Sequence, residues 1–448
     1  MPGPGVAANV AVAGKGVQQK HRVVAGFVEL APRLVCDAEV GEFGADLGAK
    51  RAEHCELAVA DRVTVSPCAR CRGAAEQQAR VGLSHRCRRH GVFGALPIHV
   101  YILPDWSAVS YSVTHDVDVT GAAYAFAMDV MAWMLDDDVD PAIRWQVLSD
   151  LADAPRDEVA QVRAQVAERG WGAALLALQG ADGQWDGGTY RPGWAQEDRP
   201  FFDAWTSTTF TLQTLRDLGL HPASAQAQRA IALVRENSRW EANGAPFFEG
   251  ETEPCINGMA TAIGAYFGQD VSGIVDRLLN EQLEDGGWNC WAEDGDLRSS
   301  FNTTICVVEG LLEWERASSG APQARQVRAA RGRAEEYLLE RALMRRLSTG
   351  ELIDPRYTMF SFPPRWYYDV LRALEYFRQV SRVTGASPDP RCGEAIELLL
   401  RKRRDDGRWS LENTHQGPTL IDFGEGDTGP SRWNTLRALR VLRWWEQG

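Results

Sequence analysis

Lysine is nearly missing from this chain. Of 48 basic residues, only Lys15, Lys20, Lys50 and Lys402 are lysine, a bias of GC-rich coding that marks no site. Histidine is scarce as well: beyond residue 128 only His221 and His415 occur, which leaves little for imidazole-based metal ligation or proton relay there. No long apolar run is present; VFGALPIHVYIL is too short for a bilayer span and contains Pro97 and His99. The opening MPGPGVAANVAVAGKG lacks a basic segment followed by an apolar one, so no secretory leader is expected. Nine cysteines without a disulfide-like spacing fit a reduced, cytoplasmic protein. The net charge of −13 argues against a nucleic-acid partner. No membrane span is expected, which leaves room for peripheral membrane contact only.

Composition divides the chain near residue 128. Residues 1–127 hold 13 basic and 12 acidic side chains and one tryptophan, Trp106; the remainder holds 35 basic against 49 acidic and the other Trp residues. The first part is rich in Ala, Val, Gly and Arg, with no sustained helical or strand period. Cys68-x-x-Cys71 followed by His85, Cys87 and His90 resembles two halves of a zinc site, but the second half is irregular and surrounded by Arg. Residues 1–127 therefore read as a low-complexity, poorly structured extension, disordered or translated from a start codon upstream of Met128. Residues 128–448 read as the folded domain.

That domain is expected to be all-α. Val271, Ile274, Val275, Leu278 and Leu279 hold positions i, i+3, i+4, i+7 and i+8, and Cys392, Ala395, Ile396, Leu399 and Leu400 repeat the spacing. Helices are expected over roughly 157–179, 223–237, 271–283, 322–346 and 391–404. Their partners are expected over roughly 205–219, 255–267, 299–317, 364–383 and 430–446. In MDVMAWMLDDDVDPAIRWQVLSDL, Asp140 is a natural N-cap with Pro141 in the first turn, which makes the acidic run a helix start. Hairpins recur every 45–60 residues, as in helical-pair arrays.

Three of the turns share an outline: LQGADGQWDGG from Leu178, LEDGGWNCW from Leu283, and RDDGRWSLE from Arg404. Gly183, Gly286 and Gly407 permit positive φ at a helix exit. Asp182, Asp285 and Asp406 can accept from turn amides. Trp185, Trp288 and Trp409 can cover the helix end, with Gln179, Gln282 or Arg403 against the indole. The turn reads as a staple between hairpins.

These Gln-x-x-Asp-Gly-x-Trp turns resemble the QW repeats of squalene-hopene and oxidosqualene cyclases, a repeat class found also in protein prenyltransferase β-subunits. SFPPRWYYDVLRALEYF and GPSRWNTLRALRVLRWW are similar to segments of short bacterial squalene-cyclase-like proteins. The resemblance spans roughly 128–448 and implies an α/α toroid of about five to six helical hairpins around a cavity. It also implies a small apolar or isoprenoid ligand to be bound, cyclised or transferred. The Asp-x-Asp-Asp acid of protonating cyclases is absent, and the Asp, Cys and His zinc set of prenyltransferases is not evident, so no metal or cofactor is expected. On a toroid, the helix starts would present Trp205, Phe301, Trp366, Tyr367, Tyr368 and Trp433 to the cavity. Arg365 and Arg432 would stand there to receive an anionic group. Among the acids near these starts (Asp203, Glu251, Glu253, Asp354, Asp369), Asp369 and Asp354 are the candidate proton donors. A non-catalytic helical-repeat module binding lipid or protein, and a carbohydrate-active toroid with paired carboxylates, are the alternatives. Substrate and oligomeric state are not legible.

Overall fold

The computed structural model describes residues 129–195, 204–425 and 429–447, together with the backbone of seven short strands nearer the amino terminus. The chain forms two units, Met1–Met131 and Ala132–Gly448. In the first, strands β1 to β7 (Val6–Ala8, Val23–Gly26, Val35–Cys36, Ser66–Pro67, Gln77–Arg86, Phe93–Ile102, Tyr111–Val113) pair antiparallel in the order β1-β7-β3-β2-β6-β5-β4. The side chains of Cys68, Cys71, His85, Cys87 and His90 lie outside the described residues, as does Asp203.

The second unit is helical. Its helices are α1 (Pro141–Asp150), α2 (Arg156–Ala164), α3 (Gly170–Ala177), α4 (Thr208–Asp217), α5 (Ala225–Asn237) and α6 (Pro254–Tyr266). They continue with α7 (Ser272–Asn280), α8 (Phe301–Ala317), α9 (Ala324–Leu339), α10 (Val370–Thr384), α11 (Gly393–Arg401) and α12 (Arg432–Gln447). Two residues each form strands β8 (Trp409–Ser410) and β9 (Pro430–Ser431).

Burial separates two classes of helix. In α4, α6 and α10 long stretches are buried on every side, Thr208–Leu215, Pro254–Ala265 and Val370–Arg378. In α5, α7 and α11 only one stripe is buried: Ala227, Ala230, Ile231 and Val234 in α5, Ile274, Val275 and Leu278 in α7, Ala395, Ile396 and Leu399 in α11. All-round burial marks an inner helix and a single stripe an outer one. The inner helices are neighbours in the sequence α4, α6, α8, α10, α12, α1. The ring closes where Trp145 and Gln146 of α1 donate to the carbonyls of Leu218 and Asp217 at the end of α4, at 2.9 and 3.1 Å. The architecture is an α/α toroid of six hairpins, the upper end of the five to six expected; the helix of α1 supplies the sixth.

The repeated turns join the hairpins. The indole nitrogens of Trp185, Trp288 and Trp409 donate to the carbonyls of Leu175, Leu278 and Leu399, at 2.7, 2.8 and 2.8 Å. Their backbone amides donate to the hydroxyls of Thr208, Thr304 and Thr435 on the following inner helix. Gln179 and Gln282 tie their turns to the next hairpin. Each amide donates within its own turn, to Gly183 or Gly286, and to the next outer helix, at Ala230 or Ala330. Arg403 keeps the expected place over Trp409, 5.8 Å from the ring centroid. Gly183 is required twice over: its φ is +78° and a Cβ there would stand 2.6 Å from the Leu233 carbonyl.

Three helices differ from the sequence reading: that expected over 157–179 is broken into α2, a 3₁₀ turn at Gln165–Ala167 and α3, where Gly170 takes a φ of 70°, that over 322–346 ends at Leu339, and a third starts late. The helix expected from residue 364 begins at Val370. Arg365 takes a left-handed φ of 57°, and the Asp369 carboxylate accepts from the Arg372 amide at 2.8 Å, capping the helix five residues later. Trp366, Tyr367 and Tyr368 therefore belong to the approach loop. Asp140 caps α1 as expected, accepting from the Ala142 amide at 2.8 Å with Pro141 in the first turn.

Candidate functional site

Charge occupies the middle of the ring. Glu375 of α10 binds Arg440 of α12, with Nε to Oε1 at 2.6 Å, and Arg378 and Arg437 stand 3.3 and 3.8 Å from its carboxylate. Arg440 also reaches Gln146 of α1 at 2.8 Å and Asp150 at 3.6 Å. Arg372 is paired with Glu309 of α8 at 2.6 Å. Asp217 of α4 acts electrostatically on Arg365, Arg372 and Arg440, and Glu309 and Glu313 of α8 act on Arg216 of α4. Gln146 of α1 bonds both the Asp217 carbonyl and Arg440, and Arg365 reaches Thr214 of α4, so these effects run between touching elements. Burial alone would raise the Glu375 carboxyl, but Arg440, Arg378 and Arg437 hold it below the ordinary range. Small residues close another side: a Cβ on Gly258 of α6 would fall 2.5 Å from the Cys306 backbone of α8, and one on Gly310 would fall 2.4 Å from the Gly258 carbonyl.

The aromatic residues expected around one hollow divide into three packed groups. Trp205 meets Phe210 and Tyr367 at 5.0 and 6.1 Å, and Tyr367 is stacked between Trp366 and His415 at 3.8 and 4.0 Å. Phe301 and Tyr368 pack with Tyr337 and Tyr357. Trp433 stacks on Phe362 at 4.2 Å and leans on Trp171. The loop at 411–418 closes over the first group: the Trp205 indole donates to the carbonyl of Gln416 at 2.8 Å, and its amide to that of Pro418 at 3.0 Å. Beneath it Arg365 is buried, donating to Gln213-flanking Thr214 Oγ1 at 3.2 Å. Burial lowers its guanidinium to about 9 against the pull of Asp217. Burial, then Arg365 and Arg372, depress the His415 imidazole to about 3.

The two candidate acids have structural surroundings. Asp369 is buried, capping α10 and accepting from the Ser361 hydroxyl at 2.8 Å. Asp354 caps a 3₁₀ turn at Pro355–Thr358 and pairs with Arg356 at 2.6 Å. Hydrogen bonding from Arg356 lowers its carboxyl. No hydrogen bond or ion pair links Asp354 to Asp369 among the described residues.

An open cleft lies elsewhere on the rim, where the starts of α1 and α12 meet. It has a volume of about 470 Å³. Trp133, Trp171 and Phe423 wall it, and Asp137, Asp138, Asp140, Asp422 and Glu425 stand against Arg169 and Arg432. All three aromatic rings are half-exposed. Arg432 spans from Asp138 at 3.6 Å to the face of Trp133, 4.9 Å from its centroid. Burial raises the Asp140 carboxyl, although it accepts from the amides of Ala142 and Trp171. Burial likewise raises Glu425, which accepts from Ser431 Oγ and, at 3.1 Å, from the Trp433 amide. Of the eight binding residues named from the sequence, only Arg432 lines this cleft, with Trp433 packed behind it. Trp133, Trp171 and Glu425 were not singled out. The one signal for Glu425 was its place in the long polar segment between Trp409 and Arg432, since long loops on rigid scaffolds often carry function.

Among the described residues, no helix is long and apolar enough to cross a membrane. No known family and no curated protein matches the chain. Solved structures with a similar chain path include a family 88 glycosyl hydrolase from Bacteroides vulgatus, 11% identical with a TM-score of 0.41, covering 71% of this chain and 97% of its own. A polysaccharide lyase is 9% identical with a TM-score of 0.37, covering 72% and 97%. A type II terpene cyclase from Scytonema is 16% identical with a TM-score of 0.33, covering 73% and 96%.

Proposed function

We propose that this protein is a carbohydrate-handling α/α toroid that binds a neutral or basic saccharide in the rim cleft and hydrolyses a glycosidic bond there. The observation that carries this reading is the lining of the cleft: the part-exposed rings of Trp133, Trp171 and Phe423 among five carboxylates and two arginines. A sugar ring offers an apolar C–H face to an aromatic wall and hydroxyls to the acids around it. The excess of carboxylates disfavours phosphorylated or uronic ligands. Glu425 is the general acid in this scheme. Its carboxyl is raised by burial, which favours the protonated form that a leaving oxygen needs. Asp138 or Asp422, more exposed on the same cleft, would hold the attacking water. Asp140 fixes the start of α1, and Asp369 and Asp354 act as caps.

The isoprenoid reading has the repeated Trp turns in its favour. It requires an apolar hollow within the ring, and the inner helices bury charge between them instead, at Glu375, Arg372, Arg378 and Arg440. Carbocations are stabilised by open aromatic faces, and here those faces are spent on one another. The test is a screen of aryl glycosides and oligosaccharides with the full chain and its Glu425→Gln variant. Turnover lost in the variant, with saccharide binding kept, is expected. Equal turnover in both proteins would remove Glu425 from the role, and binding that is unchanged in Trp171→Ala would remove the cleft.

A further inference from the structure

A second cluster of reactive side chains stands at the start of α6, outside the cleft. Glu253 occupies the N-cap position of that helix but makes no capping hydrogen bond. Its carboxylate turns to the thiol of Cys255 in the first turn, at 3.6 Å. Cys290 comes from the loop that follows the Trp288 staple and lies 3.4 Å from the Thr303 hydroxyl of α8. The donor atoms of Glu253, Cys255 and Cys290 all lie within 4.8 Å of one another. Bond lengths of about 2.3 Å to sulfur and about 2.1 Å to oxygen in a tetrahedron put ligand atoms about 3.5–3.8 Å apart, within a side-chain rotation of this arrangement.

Arg277 donates to the backbone carbonyls of Glu251 and Thr252, at 2.7 and 2.8 Å, and to the Glu281 carboxylate. Glu251 is buried beside the group, its carboxylate accepting from the Glu253 amide at 2.6 Å. Among the described residues no ion pair reaches Glu253, Cys255 or Cys290. Cys306, by contrast, receives Arg372 at 3.6 Å. Acids brought together without a basic partner are relieved by a bound cation, and two thiols with one carboxylate suit a borderline-soft one.

We propose that Glu253, Cys255 and Cys290 bind one zinc ion, leaving a fourth position open to water. Cys290 and Glu253 are half-exposed, so the ion has a path in. Three protein ligands with an open position are the pattern of a reactive rather than a purely structural zinc.

The test uses the full chain with Cys36, Cys55, Cys68, Cys71 and Cys87 replaced by serine, so that only the thiols of the second unit report. After chelation, cobalt is titrated in and read by its thiolate charge-transfer band and tetrahedral visible bands. One equivalent is expected, displaced by zinc. Cys290→Ser and Cys255→Ser should each lose the charge-transfer band, and Cys255→Ala serves if the serine variant fails to fold by circular dichroism. Glu253→Gln should bind at least about tenfold more weakly, while Cys392→Ser should bind as the parent does. Absence of stoichiometric cobalt, binding that survives loss of both Cys255 and Cys290, or a Cys255–Cys290 disulfide in the native protein would each overturn the proposal.

Discussion

Replacing Glu375 by alanine probes the ring where its ends meet. Glu375 is 7% exposed and is engaged by three arginines, Arg440, Arg378 and Arg437, from α10 and α12, and Arg440 passes the contact on to Gln146 and Asp150 of α1. The substitution leaves these guanidinium groups buried with Asp150 as their main remaining partner. Breaking a buried ion pair from one side costs about 3–5 kcal/mol. On a domain of this size that is a fall of roughly 5–8 °C in Tm. The Glu375 carboxyl is depressed in the folded state, so its stabilisation is present above its unfolded value of 4.5 and is lost as pH falls through the folded value. The gap between wild type and variant should therefore be full at neutral pH and shrink in acid. Calorimetric melts across pH are the assay, with the Glu375→Leu, Arg440→Leu double variant to show coupling. A Tm unchanged at neutral pH, or a gap that widens in acid, would refute a stabilising charge network between α10, α12 and α1.

Gln282→Ala removes a bond of 2.6 Å within its turn and one of 2.7 Å that ties the turn to the next outer helix. A loss of about 2 kcal/mol is expected in urea unfolding, and Gln179→Ala should match it. His415 is held neutral in the fold, from 6.5 down to about 3. Its stabilisation is present above pH 6.5 and falls with pH, by roughly 1–2 kcal/mol at pH 5. A His415→Gln variant should lose that part of the pH dependence between pH 7 and 5.

The helices and staples were legible because their signals are local. The i, i+3, i+4, i+7 stripe of Val271–Leu279 and the Asp-Gly-Trp turns need no knowledge of the rest of the chain. The Thr partners at Thr208, Thr304 and Thr435 were within reach of the same reading, because each opens the inner helix after its staple. The site was not legible, for two reasons. Aromatic residues at helix starts look alike whether they wall a hollow or pack together; adjacent Tyr367 and Tyr368 join different groups. The cleft joins Trp133 and Asp138 to Glu425 and Arg432, nearly the full length of the domain apart, and only ring closure brings them together. Likewise Glu253 and Cys290 come from different segments that no spacing rule connects.

The most direct measurement is hydrogen–deuterium exchange with bound ligand, comparing an oligosaccharide with an isoprenoid diphosphate. Slowed exchange at 133–141, 169–171 and 422–433 with the saccharide alone is the predicted result. Protection confined to the inner helices with the isoprenoid, and none at the rim with any saccharide, would contradict it.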